Sequence, residues 1–264
     1  MLVGWLGILF ASVMTLVAAR LLPAGSPLPS FLNFVPNLAG IALVLALGLA
    51  ASPHSAAEVL SLRPPRWLVL LPVAVSTLGI TLLGAELDAW LQELLPAPEW
   101  VLELFRRVLQ YDSVSEFLGV FAFLVVVAPV TEELLFRGLF LHRLIEGYGR
   151  RWGIAASALC FGIFHILPWQ AVAAALVGIY LGWLVVRTRS IFPSVFAHAL
   201  FNLVPVVSTG LASHHPMLRQ LSASENPSTS HLPMSWIVAS ALLFMLGIAA
   251  LNRLDGSAAQ APKS

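Results

Sequence analysis

Three short polar motifs stand inside or at the ends of apolar stretches. One stretch closes with Val130-Thr131-Glu132-Glu133-Leu134-Leu135-Phe136-Arg137-Gly138, and a second carries Phe161-Gly162-Ile163-Phe164-His165. A third contains His198-Ala199-Leu200-Phe201-Asn202. An ionisable side chain at the centre of a bilayer costs roughly 2.5–3.5 kcal/mol on insertion scales, so such residues need a purpose. Adjacent carboxylates repel, and one of them must stay protonated or find a cation. Glu133 and Arg137 stand four residues apart and can pair on one helix face. Glu132 points about 100° away and is free for another task. His198 and Asn202 share a helix face. Asn202 does not titrate, so it can only donate or accept hydrogen bonds.

Such a set suits hydrolysis. A carboxylate with a nearby imidazole can take a proton from water. A second imidazole and an amide can donate to a developing oxyanion. No serine or cysteine is well placed as a nucleophile, and Cys160, five residues before His165, does not share its face. Each motif also has a plainer reading. The Glu-Glu-Arg cluster could mark a helix end at the interface, His165 could be a core histidine, and His198 with Asn202 could join helices by hydrogen bonds.

Convergence of the motifs depends on the elements that carry them. The 264-residue chain is 59% hydrophobic and 10% charged, with mean hydropathy +0.89. Soluble domains run near half apolar and a quarter charged, so a soluble fold and disorder are both excluded. A net charge of +1 gives no basic surface for nucleic acid. A single cysteine excludes an intramolecular disulfide and a cysteine-cluster zinc site. The expected fold class is all-α, a polytopic transmembrane helical bundle forming one domain over residues 1–254, with a disordered tail at 255–264.

A span needs about 20 mostly apolar residues. Eight candidates meet this: roughly 2–22, 31–51, 67–87, 114–136, 152–168, 170–187, 190–209 and 234–252. No Lys or Arg precedes the first run, which reads as a retained helix and not as a signal peptide. Residues 86–116 hold seven of the 13 acidic residues, and Val101, Leu104, Phe105 and Val108 recur at helical spacing. This predicts either a short interfacial helix near 98–110 or a solvated connector. Residues 210–233 read as a polar loop. Gly178 and Gly182 form a GxxxG pair suited to close helix packing.

The turn between the fourth and fifth spans centres near Tyr148 or Gly149. Glu132 lies 14 residues before Glu146, and His165 lies 14 after Arg151. At 1.5 Å per residue both sit roughly 21 Å from the turn, at similar depth. Nine Lys and Arg side chains fall on the N-terminal side of an eight-span layout and four on the other, with Arg137 set aside as intramembrane. This puts both termini in the cytoplasm and lets all three motifs enter the membrane from that face.

The combination resembles the CPBP family, the CAAX-protease and bacteriocin-processing membrane proteins. The resemblance rests on Glu132-Glu133-x-x-x-Arg137, Phe161-x-x-x-His165 and His198-x-x-x-Asn202, and covers roughly residues 115–205. It implies a glutamate-type intramembrane endopeptidase. Under it Glu132 is the catalytic base, assisted by His165, with His198 and Asn202 as oxyanion stabilisers. Glu133 and Arg137 form the supporting ion pair. The implied substrate is a membrane-tethered or hydrophobic peptide or protein, reached from the lipid bilayer.

The expected cofactor is none and the expected metal is none. Two histidines and a glutamate could make a three-ligand zinc site, but no HExxH is present and asparagine is a poor zinc ligand. The eukaryotic branch of the family trims prenylated C-terminal peptides. Prokaryotic relatives are linked to bacteriocin maturation or immunity, peptide signalling and surface-protein processing. The short, Ala/Leu-rich chain looks prokaryotic, and its expected location is the cell membrane. The alternatives are a non-catalytic scaffold or immunity protein that binds a partner in the same cavity, and a proton-coupled carrier, for which no inverted repeat is visible.

Overall fold

The structure is a computed structural model that describes residues 35–109, 111, 113–214 and 231–258. The first expected span, residues 31–34, most of the expected 210–233 loop and residues 259–264 lie outside the described residues. The described residues form helices and connecting turns, with no strand among them.

The chain enters on α1, Val35–Ala50, and a four-residue helix α2, Ala56–Val59. A capping box fixes the start of α2: Glu58 N–H donates to Ser55 Oγ at 3.3 Å and Ser55 N–H to Glu58 Oε2 at 3.1 Å. A 3₁₀ turn, Trp67–Val69, leads into α3, Leu70–Leu94. Twenty-five residues make about 37 Å of helix, longer than a hydrocarbon core of roughly 30 Å. Asp88 and Glu93 therefore ride on the last turns of α3, beyond the expected end of the span at 87, and Glu86 lies just inside that end. The expected short helix is α4, Glu99–Leu109. It buries Val101 and exposes Arg106 and Arg107, which pair with Glu103.

The next helical run is continuous but irregular. α5, Val114–Phe121, passes into a π-helical segment, Ala122–Val127, then α6, Ala128–Glu133, a second π-helical segment, Leu134–Phe140, and α7, Leu141–Phe164. Within α7 the backbone at Gly149 adopts φ 76°, ψ 170°. An L side chain rarely tolerates that region, and glycine does. There the chain folds back on itself. Ser157 Oγ donates to the Phe136 carbonyl at 2.8 Å, and the Phe136 ring lies 5.2 Å from both Phe161 and Phe164. This is the hairpin the sequence placed near Tyr148 or Gly149.

The fifth span ends earlier than the expected residue 168. α7 stops at Phe164, His165 caps it, Ile166 is left-handed at φ 65° and Leu167 is extended. Pro168 opens the next helix, and a residue before proline is disfavoured in the α region, which forces the break. The remaining helices are α8, Pro168–Thr188, α9, Phe192–His214, and α10, Met234–Ala258.

Trp67–Leu94, Val114–Phe164, Pro168–Thr188 and Met234–Leu254 are long and apolar enough to cross a membrane, and Asn37–Ala50 and Phe192–Ser208 are shorter apolar helices. The chain is an all-α membrane bundle. α10 lies along α3, and α8 packs on α7. Tyr180 of α8 joins α3 through its hydroxyl, 2.7 Å from Ser76 Oγ and 3.2 Å from Thr77 Oγ1. Such interhelical bonds, each about 0.6–2 kcal/mol, supplement packing where lipid gives little hydrophobic drive between helices.

Candidate active site

The Glu132–Glu133 pair sits on the last turn of α6, between the two π segments. Its two members have different surroundings. Glu133 and Arg137 are paired, Nη1 to Oε1 at 2.8 Å, and neither side chain is exposed to solvent. This is the i, i+4 pairing expected from the spacing. Two further groups from α9 complete the carboxylate's coordination. His198 Nδ1 lies 2.9 Å from Glu133 Oε1, and Ser194 Oγ donates to Glu133 Oε2. A carboxylate bonded to Arg137 accepts only, so Nδ1 of His198 carries the hydrogen.

Arg137 is held on its other sides without hydrogen bonds. Its guanidinium carbon stands 4.1 Å from the centroid of the Phe161 ring, a cation–π contact worth about 2 kcal/mol when desolvated. Nε and Nη2 make no hydrogen bond. Gly178 of α8 provides the space: a Cβ there would lie 3.1 Å from Arg137 Nη2 and 3.1 Å from Ala158 Cβ. The GxxxG pair thus packs helices closely, as expected, and one of its glycines also shapes the site.

Glu132 keeps some solvent access, with 15% of its side chain exposed. Its Oε2 lies 3.8 Å from His198 Nε2. That is too long for a hydrogen bond and short enough for a bridging water. His165, at the end of α7, has Nδ1 2.9 Å from the Phe161 carbonyl. A carbonyl only accepts, so Nδ1 carries the hydrogen and a neutral ring presents a free lone pair at Nε2. Phe161 stands between the imidazoles, edge-on to His165 at 4.8 Å and to His198 at 5.6 Å. Phe161 therefore orients three members of the group at once.

Asn202 lies one turn beyond His198 on α9. Its Nδ2 donates to the Leu124 carbonyl at 2.9 Å. Leu124 belongs to the first π segment, where a carbonyl bonds the N–H five residues on, and that residue is Pro129, which has none. The asparagine supplies the missing donor.

Glu133, Arg137 and His198 form one network, with Glu132 beside it and His165 joined to it through Phe161. Asn202 is tied to the same helical run at Leu124. Ser194 was not singled out from the sequence. Its signal was present: Ser194, His198 and Asn202 recur every four residues on one face of α9. A cation at Glu133 Oε1 would meet the arginine already bonded there, so that oxygen suits a proton donor better than a metal.

Comparison with known proteins adds a family. Residues 114–204 match the family model described as type II CAAX prenyl endopeptidase Rce1-like. This stretch is an Rce1-like domain. Nothing among curated proteins or solved structures matches the chain. The Rce1-like domain begins with α5 and ends within α9, so it contains every residue of the network. α1, α3, α4 and α10 lie outside it and pack around it.

Proposed function

We propose that the chain is an intramembrane endopeptidase that hydrolyses a peptide bond of a membrane-tethered or hydrophobic peptide or protein. The observation that carries this reading is the contrast between the two glutamates. Glu133 has its hydrogen-bonding capacity filled by Arg137, His198 and Ser194, whereas Glu132 is partly open and set 3.8 Å from His198 Nε2. Glu132 takes a proton from a water held beside it, and His165 Nε2 assists. The hydroxide attacks the peptide carbonyl, and the proton passes to the leaving amine. His198 and Asn202 stabilise the oxyanion.

The geometry sets two conditions on this mechanism. His198 Nδ1–H is committed to Glu133, so Nε2 donates only when the ring carries both protons. Asn202 has two amide hydrogens, and one is committed to Leu124; the second is the donor available to substrate. Both termini face the cytoplasm in this reading, and the site opens to that side. Glu132→Gln tests it. General-base contributions run about 10²–10⁴-fold, so cleavage falls by that factor while the fold persists. Mass spectrometry of membrane-peptide C-termini in strains with wild type and Glu132→Gln reads this out. Identical termini with both proteins stably present would move the assignment to a binding scaffold.

A further inference from the structure

Away from the Rce1-like network, the loop between α1 and α2 meets the first turn of α7. His54 comes from that loop, and His142 and Glu146 come from one face of α7 at i, i+4. His54 Nε2 lies 3.2 Å and His142 Nε2 3.3 Å from the same oxygen, Glu146 Oε1. One ligand atom from each residue falls within 4.8 Å of the others. His142 Nε2 is shielded from solvent and makes no hydrogen bond of proper geometry, despite its distance from Oε1. The two rings stand edge to face, with centroids 5.5 Å apart.

We propose that His54, His142 and Glu146 bind a divalent late transition metal, Zn²⁺ by chemistry, which clamps the α1–α2 loop to the catalytic hairpin. Tetrahedral zinc with bonds of about 2.0–2.1 Å places neighbouring ligand atoms about 3.3–3.5 Å apart. The two nitrogen-to-oxygen distances fall at or just under that edge, and no pair of ligand atoms is more than 4.8 Å apart, so a modest adjustment of the two imidazoles fits the ion. Two imidazoles and one carboxylate leave the fourth position to water. The donor set favours zinc over magnesium or calcium, which select oxygen.

The outer partners suit the site. Arg143 Nη1 holds the other oxygen, Glu146 Oε2, at 3.1 Å and leaves Oε1 directed at the imidazoles. A hydrogen-bonded carboxylate of this kind is the usual support of a metal ligand. The Ser52 hydroxyl accepts from the His54 N–H at 3.2 Å, and the Ser55–Glu58 capping box follows, so the loop carrying His54 is locally ordered. His54 and Glu146 side chains are 45% and 41% exposed, which gives the ion an entry path.

The test uses the full chain purified in detergent and stripped with chelator. Zn²⁺ is titrated calorimetrically, and bound metal is counted by elemental analysis after dialysis. Wild type binds one Zn²⁺ per chain, and its thermal unfolding shifts upward with the metal. Co²⁺ in its place gives visible bands of tetrahedral coordination. His54→Ala, His142→Ala and Glu146→Gln each weaken binding by more than about 100-fold, beyond the 10–100-fold of outer-shell changes.

A double variant, Glu132→Gln with His198→Ala, retains the ion. Loss of zinc from that double variant, with binding intact in His54→Ala, would place the ion in the other cluster and overturn the proposal. No bound zinc in wild type would overturn it directly. The three clamp side chains are partly exposed, so their variants fold; unchanged unfolding without metal verifies this. The clamp shares no residue with the peptidase reading, and failure of either leaves the other standing.

Discussion

Arg137→Met tests the buried core of the site. Wild-type Glu133 has three donors, and the strongest is the Arg137 guanidinium at 2.8 Å, with no solvent reaching either side chain. Methionine fills much of the arginine volume without a charge. The variant leaves a carboxylate with only His198 and Ser194 as partners. Breaking one side of a buried pair costs about 3–5 kcal/mol. The lost cation–π contact with Phe161 is part of that figure.

For a chain of this size each kcal/mol moves Tm by roughly 2–4 °C, so unfolding should fall by roughly 6–20 °C. Differential scanning fluorimetry in detergent reads the change. Glu133→Gln strands the opposite charge and should cost a similar amount. The double variant, Glu133→Gln with Arg137→Met, should cost less than the sum, with a coupling of about 1–3 kcal/mol. Cleavage should be lost in Glu133→Gln and in the double variant, because His198 loses its carboxylate anchor, and should fall in Arg137→Met, where Glu133 keeps His198 but loses the guanidinium that fixes it. A Tm change for Arg137→Met no larger than that of exposed Arg106→Ala would refute the reasoning.

Three further outcomes are expected. Ser194→Ala removes one donor to the buried carboxylate and should cost about 1.5–3 kcal/mol; kcat should fall more than KM rises, and an unchanged kcat would sever Ser194 from His198 placement. Gly149→Ala meets no atom within 4 Å, so its cost is backbone strain alone, about 1–3 kcal/mol; equal denaturation curves would show that the hairpin turn relaxes freely. His231 is hydrogen-bonded by Glu86 and Glu93, which together raise its pKa above the ordinary 6.5. Its contribution is then fully present below about 6.5 and is lost as pH rises through the raised value. Hydrogen exchange at Leu232, whose N–H donates to Glu86 Oε2 at 2.8 Å, should lose protection as the pH rises above 6.5 and through that raised value, after correction for intrinsic rate. Protection that holds across that range would contradict the linkage.

What could be read in the sequence follows from what a one-dimensional pattern encodes. Helical spacing pairs residues on one helix, so Glu133–Arg137 and the shared face of His198 and Asn202 were legible. Counting residues from a turn gives depth, so the meeting of the α6–π segment with the end of α7 was legible too. Neither pattern fixes how far a helix is rotated about its own axis. That rotation decides that His198 reaches Glu133 at hydrogen-bond distance while Glu132 stays at 3.8 Å. Ser194 was overlooked because a serine in a membrane helix commonly bonds its own backbone. The full length of α3 was not legible because apolar content marks only the part that crosses lipid, whereas the helix continues past 87 with Asp88 and Glu93 exposed. The His54–His142–Glu146 group joins a loop to a distant helix, a contact without any local period.

The two π segments explain how one helix can hold a buried ion pair and a partly exposed carboxylate at adjacent positions. A π turn inserts a residue, so the helix beyond it is rotated by about 100° relative to an uninterrupted α-helix. Within the second segment residues 135–140 are all buried, including Arg137. The bundle surrounds the helix at this level, and Arg137 can be buried there because Glu133, Phe161 and the bare backbone of Gly178 receive it. The first segment leaves the Leu124 carbonyl without its Pro129 partner, and Asn202 is drawn to it. The irregular run thus anchors α9 at two points, Asn202 on the Leu124 carbonyl and His198 on Glu133. Two anchors one helical turn apart fix both the height and the rotation of α9. Glu132, hydrogen-bonded to neither His198 nor Asn202, is left as the carboxylate of the pair that keeps solvent access, with 15% of its side chain exposed.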